Sequence, residues 1–424
     1  MTDQIKLTEP QKAVHKTYAK ALSDRGFCLM EDASSTHTPI FNFINKQRLP
    51  SSFLQNDFRK WQRINSIECE QFSISFAMSL LQHVVGSKFA PSQPKFIEES
   101  ITGCVYINTY QQYKPSITDA TISPLLIEYF ERLIADAGER HIVLQWLAHM
   151  FQFTSQRPSW HVMLRSVQGT GKGFLVESIL QPLLPGCTYV VSDFSHVSGR
   201  FSEVQATNAL VLLDDAKATS AKTQTQLKSL LSESRIHVEK KNGAAAMQPT
   251  CARMILASNE EAPLVLEPGE RRWYVTAYQM HRDDDSAATQ AHIVKTAAWL
   301  QEPGNLDRVY NWFMSYDLAG FNHKLLPQST GLQAMIELSR SPHANFVETF
   351  VSENLVFRYP DLIEAMQLEK MKPPSDREMV HVLHEVGYAK SQPRIDGKLV
   401  RLCHPIGMAL LAIREAYKEP EPVF

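Results

Sequence analysis

The chain has 424 residues, of which 44% are hydrophobic and 21% charged, with a formal net charge of −2. A chain of this length is too long for one compact hydrophobic core, which predicts two or three domains. The near-neutral charge restricts any nucleic-acid binding to local basic patches. No apolar run approaches the ~20 residues that span a membrane, and the first residues lack the apolar stretch of a secretory signal, so we expect a cytoplasmic protein without a membrane partner. The six cysteines form no C-x-x-C pair, which favours reduced thiols over disulfides or zinc ligands.

Residues 1–95 are predicted to form an accessory domain for oligomerisation or DNA contact, and a helix is predicted over residues 9–24. The rest of this segment carries no pattern that predicts a fold. One basic block in it has two interpretations: it can grip single-stranded nucleic acid, or it can form an amphipathic helix with a solvated basic side. The block contains Arg59, Lys60, Trp61 and Arg63.

Two helices are predicted within a helical collar over residues 96–158. Ser123 and Pro124 have the types expected at a helix N-cap and in its first turn, and a second helix is predicted from residue 139 to 151. Apolar residues recur at three- and four-residue spacing in both helices. We expect the pair to pack ahead of a central domain at residues 159–322.

A glycine-rich loop follows an apolar strand in the central domain. Val162, Met163 and Leu164 precede it, and a helix is predicted to begin with Lys172. Glycines let backbone N–H groups converge on phosphate oxygens, the helix N-terminus adds partial positive charge, and the lysine would reach the β- and γ-phosphates. We interpret the loop as a P-loop whose nucleotide contacts come from Gln168, Gly169, Thr170, Gly171, Lys172, Gly173 and Phe174.

The loop departs from the pattern G-x-x-x-x-G-K-[ST] at two positions. Ser166 stands where the first glycine is expected, and Gly173 stands where a hydroxyl would bind Mg²⁺. A glycine turn without a ligand is therefore an alternative interpretation of this stretch.

Acidic and amide side chains end two later apolar strands. Five apolar residues from 209 to 213 lead into Asp214 and Asp215, as in a buried parallel strand with carboxylates at its C-terminal edge. One acid would hold Mg²⁺ and the other would polarise an attacking water, whereas the alternative is a strand that ends in an acidic turn. Asn259 ends the strand after these acids and would position that water.

Two basic pairs lie near these strands. Asn242 and Gly243 predict a hairpin turn that carries Lys240 and Lys241 at its tip, where they would contact a DNA backbone or only improve solubility. Arg271 and Arg272 lie at the start of another strand. Either could stabilise transition-state charge at a neighbouring subunit's nucleotide, and Arg272 is the preferred candidate of the two. The alternative is that both are ordinary surface residues.

Taken in order, these five motifs resemble the superfamily 3 helicases of phages, satellites and plasmids. The resemblance implies a P-loop NTPase of the AAA+/ASCE type, an α/β motor with a parallel sheet that translocates along single-stranded DNA as a hexameric ring and hydrolyses ATP between subunits. It also implies specific roles: phosphate binding by Lys172, Mg²⁺ binding by Asp214 and Asp215, sensing by Asn259, channel contacts by Lys240 and Lys241, and an arginine finger at Arg272 or Arg271. No zinc-ligand cysteine set or acidic metal pair upstream indicates a primase.

The segment 332–424 is predicted to be a winged helix. Ser375 and Glu378 have the spacing of a capping box, and Gly387 ends the helix that follows. A hairpin turn at 396–397 comes next. It is flanked by Arg394, Lys398 and Arg401, which would contact DNA phosphates, although such folds also dock proteins.

The sequence therefore favours an ATP-dependent replicative DNA helicase with a helical N-terminal region and a C-terminal winged helix. The alternatives are a loader or initiator switch that binds DNA without unwinding it, a small-molecule kinase, and a scaffold without turnover. ATP and Mg²⁺ are the expected cofactors. Single-stranded DNA, origin DNA, further copies of the chain and a primase or other replication proteins are the expected partners, in the cytoplasm of a bacterial host.

Overall fold

The computed structural model describes residues 6–31, 38–191, 201–215, 227–228, 231–238, 246–339, 342–395 and 397–417. The chain divides into two compact units, one made of Met1–Leu264 with Arg271–Leu332 and the other of Val265–Glu270 with Gln333–Phe424. The three-domain division and its boundaries stay a prediction. None of the described helices has the length and apolar character needed to cross a membrane.

The first unit begins with short strands and three helices. The helices are α1 (Glu9–Asp24), α2 (Phe53–Asn65) and α3 (Ile74–Ser79). The strands are β1 (Phe27–Met30), β2 (Ile40–Asn42), β3 (Gln47–Leu49), β4 (His83–Val84), β5 (Gly86–Lys88), β6 (Phe96–Glu98) and β7 (Val105–Asn108). They form one sheet in the order β3-β2-β1-β4 and another in the order β5-β7-β6. The expectation of a helical N-terminal region is therefore wrong, because strands of two to four residues are too short to show a sequence period.

The predicted helix over residues 9–24 is confirmed as α1, and a capping box between Thr8 and Gln11 starts it. In α2, the ring of Trp61 lies 5.3 Å from the Tyr18 ring and 5.9 Å from the Phe58 ring. Trp61 packs in this aromatic cluster and is partly buried by it. The geometry favours the amphipathic-helix interpretation of the basic block.

The two collar helices form as expected. Ser123 Oγ accepts from Leu125 N at 3.2 Å and begins α4 (Pro124–Leu133), while Asp136 Oδ1 accepts from Glu139 N at 2.8 Å and begins α5 (Ala137–Gln152). Both helices bury apolar side chains in the largest core cluster of the first unit.

A five-stranded parallel sheet forms the centre of the first unit. In chain order its region contains β8 (His161–Arg165), α6 (Lys172–Phe174), a π-helical turn (Leu175–Leu180), α7 (Gln181–Leu183), β9 (Thr188–Val191), α8 (Phe201–Thr207), β10 (Leu210–Asp214), β11 (Arg235–Val238), β12 (Ala246–Pro249), β13 (Arg253–Ser258), β14 (Trp273–Val275), α9 (Ser286–Gln301) and α10 (Asn305–Ser315). The sheet order is β14-β8-β13-β10-β9, and β11 pairs with β12 in a separate antiparallel ribbon. Strands buried on both faces explain the continuous apolar runs in the sequence. The carboxyl ends of β8, β10 and β13 meet at one edge of this sheet.

The second unit packs helices against a small antiparallel sheet. In chain order, the elements from residue 330 onward are α11 (Thr330–Ser339), α12 (Pro342–Glu353), β15 (Phe357–Arg358), α13 (Tyr359–Leu368), α14 (Asp376–Glu385), β16 (Tyr388–Ser391), β17 (Arg394–Ile395), β18 (Lys398–Leu399), β19 (Leu402–Pro405) and α15 (Leu410–Ala416). Residues 330–332 of α11 belong to the first unit. The sheet order is β15-β19-β16, and β17 pairs with β18 in a hairpin. The predicted capping box at Ser375 and Glu378 is confirmed, since it starts α14.

Candidate functional site

Lys172 lies at the end of the glycine loop that joins β8 to α6, and its side chain is nearly enclosed, with 9% exposed. Its ammonium group donates to Ser166 O at 3.3 Å, to Val167 O at 3.3 Å, and to the Ser166 hydroxyl. It also donates to Asn259 Oδ1 at 2.9 Å. Burial lowers the pKa of Lys172, and the nearby charges of Asp215 and Asp214 partly offset that effect. The structure therefore holds a partly desolvated cation against carbonyl and amide oxygens.

Asn259 joins Lys172 to the acidic end of β10. Its backbone N–H donates to Asp215 Oδ1 at 3.1 Å, and its Nδ2 donates to Asp215 Oδ2 at 2.8 Å. This arrangement is possible because β10 and β13 are parallel neighbours, with Asp214 opposite Ala257. Asp215 adopts a left-handed backbone conformation (φ +46°), which turns the chain at the sheet edge.

Asp214, the other acid of the pair, is less readily ionised than an ordinary aspartate. Partial burial and the charge of Asp215 raise the pKa of Asp214, and Lys172 opposes this effect. The two carboxylates thus compete for one nearby cation. Among the residues that the structure describes, no group of three His, Cys, Asp or Glu side chains could hold a metal ion without further ligands.

Three side chains from outside the loop bind its carbonyl oxygens. Tyr129 OH donates to Gly171 O at 2.9 Å, and Gln290 Nε2 donates to Gly169 O at 2.7 Å. His281 Nε2 lies 3.1 Å from Gln168 O and donates to it in the tautomer that carries its proton there. Sequence reasoning missed all three side chains, because they lie 42 to 121 positions away from their acceptors.

Gly173 follows Lys172 in the first turn of α6. A Cβ atom built at this glycine would have no neighbour within 4 Å. The absent hydroxyl is therefore not excluded by crowding. Two other loop residues are buried and contact each other, since Thr170 Oγ1 lies 2.6 Å from Ser166 Oγ.

The structure does not bring the two arginines to this site. Arg272 precedes β14, where its carbonyl accepts from His161 N at 2.7 Å, at the amino end of β8. Its Nε donates to Ser232 Oγ at 2.7 Å. Arg271 and Arg272 thus lie at the sheet edge opposite the loop. Lys240 and Lys241 fall outside the described residues, so their predicted role stays a prediction.

In the second unit, Arg394 and Lys398 lie on the β17–β18 hairpin, and Arg401 follows it. All three side chains are exposed. Asp396, in the predicted turn, lies outside the described residues.

Comparison with known proteins assigns the fold. One family model, described as a family of unknown function (DUF5906), matches residues 164–272. The DNA primase-polymerase of Nitratiruptor phage NrS-1 is 24% identical over 197 residues, which cover 44% of this chain and 26% of that protein. The apo structure of the NrS-1 C-terminal region aligns with a TM-score of 0.63 at 16% identity, over 94% of this chain and 100% of that one. Its A-form apo structure aligns with a TM-score of 0.63 at 17% identity, over 91% and 98%.

The chain has the fold of the NrS-1 C-terminal region. This finding overturns the resemblance to superfamily 3 helicases and with it the predicted class of an AAA+/ASCE-type P-loop NTPase motor with a winged helix; the described fold is mixed α/β. The helicase function is wrong for the same reason, and neither the loader nor the kinase is better supported. Short motifs in a given order are compatible with more than one fold and function, and Ser166 and Gly173 already departed from the motif on which the resemblance depended.

Proposed function

We propose that this chain is a nucleoside-triphosphate-binding part of a DNA-replication machinery of the primase-polymerase type. The observation that carries the proposal is the hydrogen-bonded group of Lys172, Asn259 and Asp215 beside the glycine loop. The NrS-1 relative supports the connection to DNA replication in a phage. The aligned residues cover only 26% of that protein's length, so the activity, substrate and partners of this chain are all part of the proposal.

Lys172 supplies the positive charge for the triphosphate. A phosphate oxygen would replace Ser166 O and Val167 O as acceptors of the ammonium group, and a charge-assisted bond to phosphate is stronger than a bond to a neutral carbonyl. This change of acceptors displaces only neutral carbonyl oxygens, so no charged group leaves the site. It also accounts for the enclosure of a lysine among neutral oxygen atoms.

Asp214 and Asp215 suit Mg²⁺. Their crowding, visible in the raised pKa of Asp214, would be relieved by a divalent cation, and Mg²⁺ takes one or two protein carboxylates together with phosphate oxygens and water. Bound Mg²⁺ would neutralise charge on the triphosphate. Asn259 keeps Asp215 in place by its two donated hydrogen bonds.

We assign DNA contact to the exposed basic residues around the β17–β18 hairpin. Arg394, Lys398 and Arg401 would bind phosphates without reading the sequence. A phage relative supports the cytoplasm of a bacterial host as the place where this happens.

Calorimetric titration of the full chain with deoxynucleoside and ribonucleoside triphosphates, with and without Mg²⁺, tests the proposal. Wild type should bind more tightly with Mg²⁺, and Lys172→Met should raise the dissociation constant about 10-fold to 150-fold, the value of a charged hydrogen bond.

Lys46→Met is the matched control. Lys46 is also a lysine whose pKa burial lowers, and its ammonium group donates to Gly186 O at 2.7 Å and Thr207 O at 3.2 Å. These acceptors precede β9 and β10, at the amino edge of the sheet. The proposal fails if wild type binds no nucleotide, or if Lys172→Met and Lys46→Met bind equally well.

A further inference from the structure

The glycine loop is attached from outside by three side chains, which lie on α4, on α9 and just before α9. Tyr129 reaches Gly171 O, Gln290 reaches Gly169 O, and His281 lies beside Gln168 O. We call these three residues the carbonyl anchor. None of them belongs to the loop, to its flanking strand or to the acidic end of β10.

The anchor determines where the loop N–H groups point. In a planar trans peptide, the carbonyl oxygen of one residue and the N–H of the next lie in one plane and point in opposite directions. Holding the carbonyls of Gln168, Gly169 and Gly171 outward turns the N–H groups of residues 169, 170 and 172 the other way. These N–H groups would then face away from the anchor, as phosphate binding requires.

The glycines allow the anchor to approach. A Cβ atom on Gly169 would lie 2.7 Å from Gln290 Nε2, and one on Gly171 would lie 2.9 Å from a Tyr129 ring carbon. Both glycines also have positive φ, +85° and +102°, which other residues rarely adopt. The two glycines therefore serve both the turn and the two contacts.

The elements that carry the anchor are themselves joined. His292 Nε2, on α9, lies 2.9 Å from Leu125 O of α4, and Arg282 Nη2 donates to Glu131 Oε2 at 3.4 Å. Tyr129 is 1% exposed, and burial raises the pKa of this tyrosine well above its usual range, so its hydroxyl remains a donor.

We propose that Tyr129, Gln290 and His281 are positioning residues that hold the loop N–H groups of residues 169, 170 and 172 in the orientation that binds a triphosphate. This inference rests on the proposed function, because it concerns the same site. It adds that α4 and α9, which carry no phosphate ligand of their own, set the affinity of the site.

The test uses Tyr129→Phe and Gln290→Met, which remove one donor each with little change of shape. Hydrogen exchange of residues 166–175 is measured first, in nucleotide-free protein. Each variant should exchange about fivefold faster in this segment, the effect of losing one neutral hydrogen bond, and the double variant should exchange faster still. Calorimetry with Mg²⁺ and inorganic triphosphate should then show a dissociation constant raised about fivefold by each variant.

Tyr113→Phe is the matched control, since Tyr113 OH donates to Asp307 Oδ1 at 2.6 Å, away from the loop. It should change the melting temperature without changing exchange at 166–175 or triphosphate affinity. Unchanged exchange in both anchor variants overturns the anchor even if wild type binds triphosphate. If the anchor variants exchange faster but wild type binds no triphosphate, the proposed function and the anchor's part in it are both overturned. The three side chains then only stabilise the loop.

Discussion

Replacing Asn259 by Asp tests the link between Lys172 and Asp215 directly. The substitution retains an oxygen facing the Lys172 ammonium group but converts the Nδ2 donor, 2.8 Å from Asp215 Oδ2, into a second carboxylate oxygen. One hydrogen bond, about 1 kcal/mol, is lost. Two carboxylates about 4 Å apart repel by about 4 kcal/mol at an effective dielectric constant of ~20, but the exposure of Asp215 screens this repulsion.

A stronger attraction to Lys172 offsets part of the repulsion. We expect the free energy of unfolding of the nucleotide-free protein to fall by about 1–3 kcal/mol, because both carboxylates are held together only in the folded chain. Protonation of the new carboxylate pair removes the repulsion. The deficit should therefore be largest at alkaline pH, shrink as the pH falls and shrink with added salt.

Asn259→Leu separates this charge effect from the loss of hydrogen bonds. It removes the side-chain bonds to Lys172 and Asp215 without adding charge, so its deficit should not depend on pH or salt. Denaturant titrations of the nucleotide-free protein at two pH values and two salt concentrations measure both variants. The reasoning is refuted if Asn259→Asp and Asn259→Leu show the same deficit under all four conditions, or if neither shows one.

Three further predictions follow from individual contacts. Gly173→Ser should raise the free energy of unfolding by about 0.5 kcal/mol, because serine has the higher helix propensity and the position is open. It should also lower the Mg²⁺ concentration needed for nucleotide binding. Destabilisation in a denaturant titration would contradict this prediction. Arg253→Met should lower the free energy of unfolding by about 2–4 kcal/mol, because the buried guanidinium donates to Trp146 O of α5 at 3.3 Å and to Gln156 O, beyond the end of that helix, at 2.9 Å. An unchanged denaturation midpoint would refute it. Lys398→Glu should weaken DNA binding and flatten its salt dependence in a fluorescence anisotropy titration, and unchanged affinity would remove the hairpin from the DNA-contact proposal.

Local chemistry was predictable from the sequence. Cap residues such as Ser123 and Ser375 act on their own helices within three positions, so their effects do not depend on the rest of the fold. The apolar runs that became β8, β10 and β13 were recognisable because strands buried on both faces have continuous apolar sequences. The approach of Asn259 to Asp215 was also predictable, since parallel strands end at the same edge of a sheet.

Assignment of the whole fold was not predictable from these same residues. The five motifs occupy few positions, and the N-terminal strands are too short to show a sequence period, so the resemblance led to a helicase where the comparisons assign the fold of a primase-polymerase C-terminal region. Arg271 and Arg272 lie at the opposite edge of the sheet from Lys172 within this chain, and their predicted role at a neighbouring subunit's nucleotide stays a prediction.

The sequence by itself determined the local properties of the loop glycines, the lysine and the acids, because backbone freedom and charge belong to single residues. Only the tertiary structure placed Tyr129, His281 and Gln290 against the loop carbonyls, since these contacts join residues separated by as many as 121 positions. A hydrogen bond acts over about 3 Å, so its partners become identifiable only when the fold brings distant segments together.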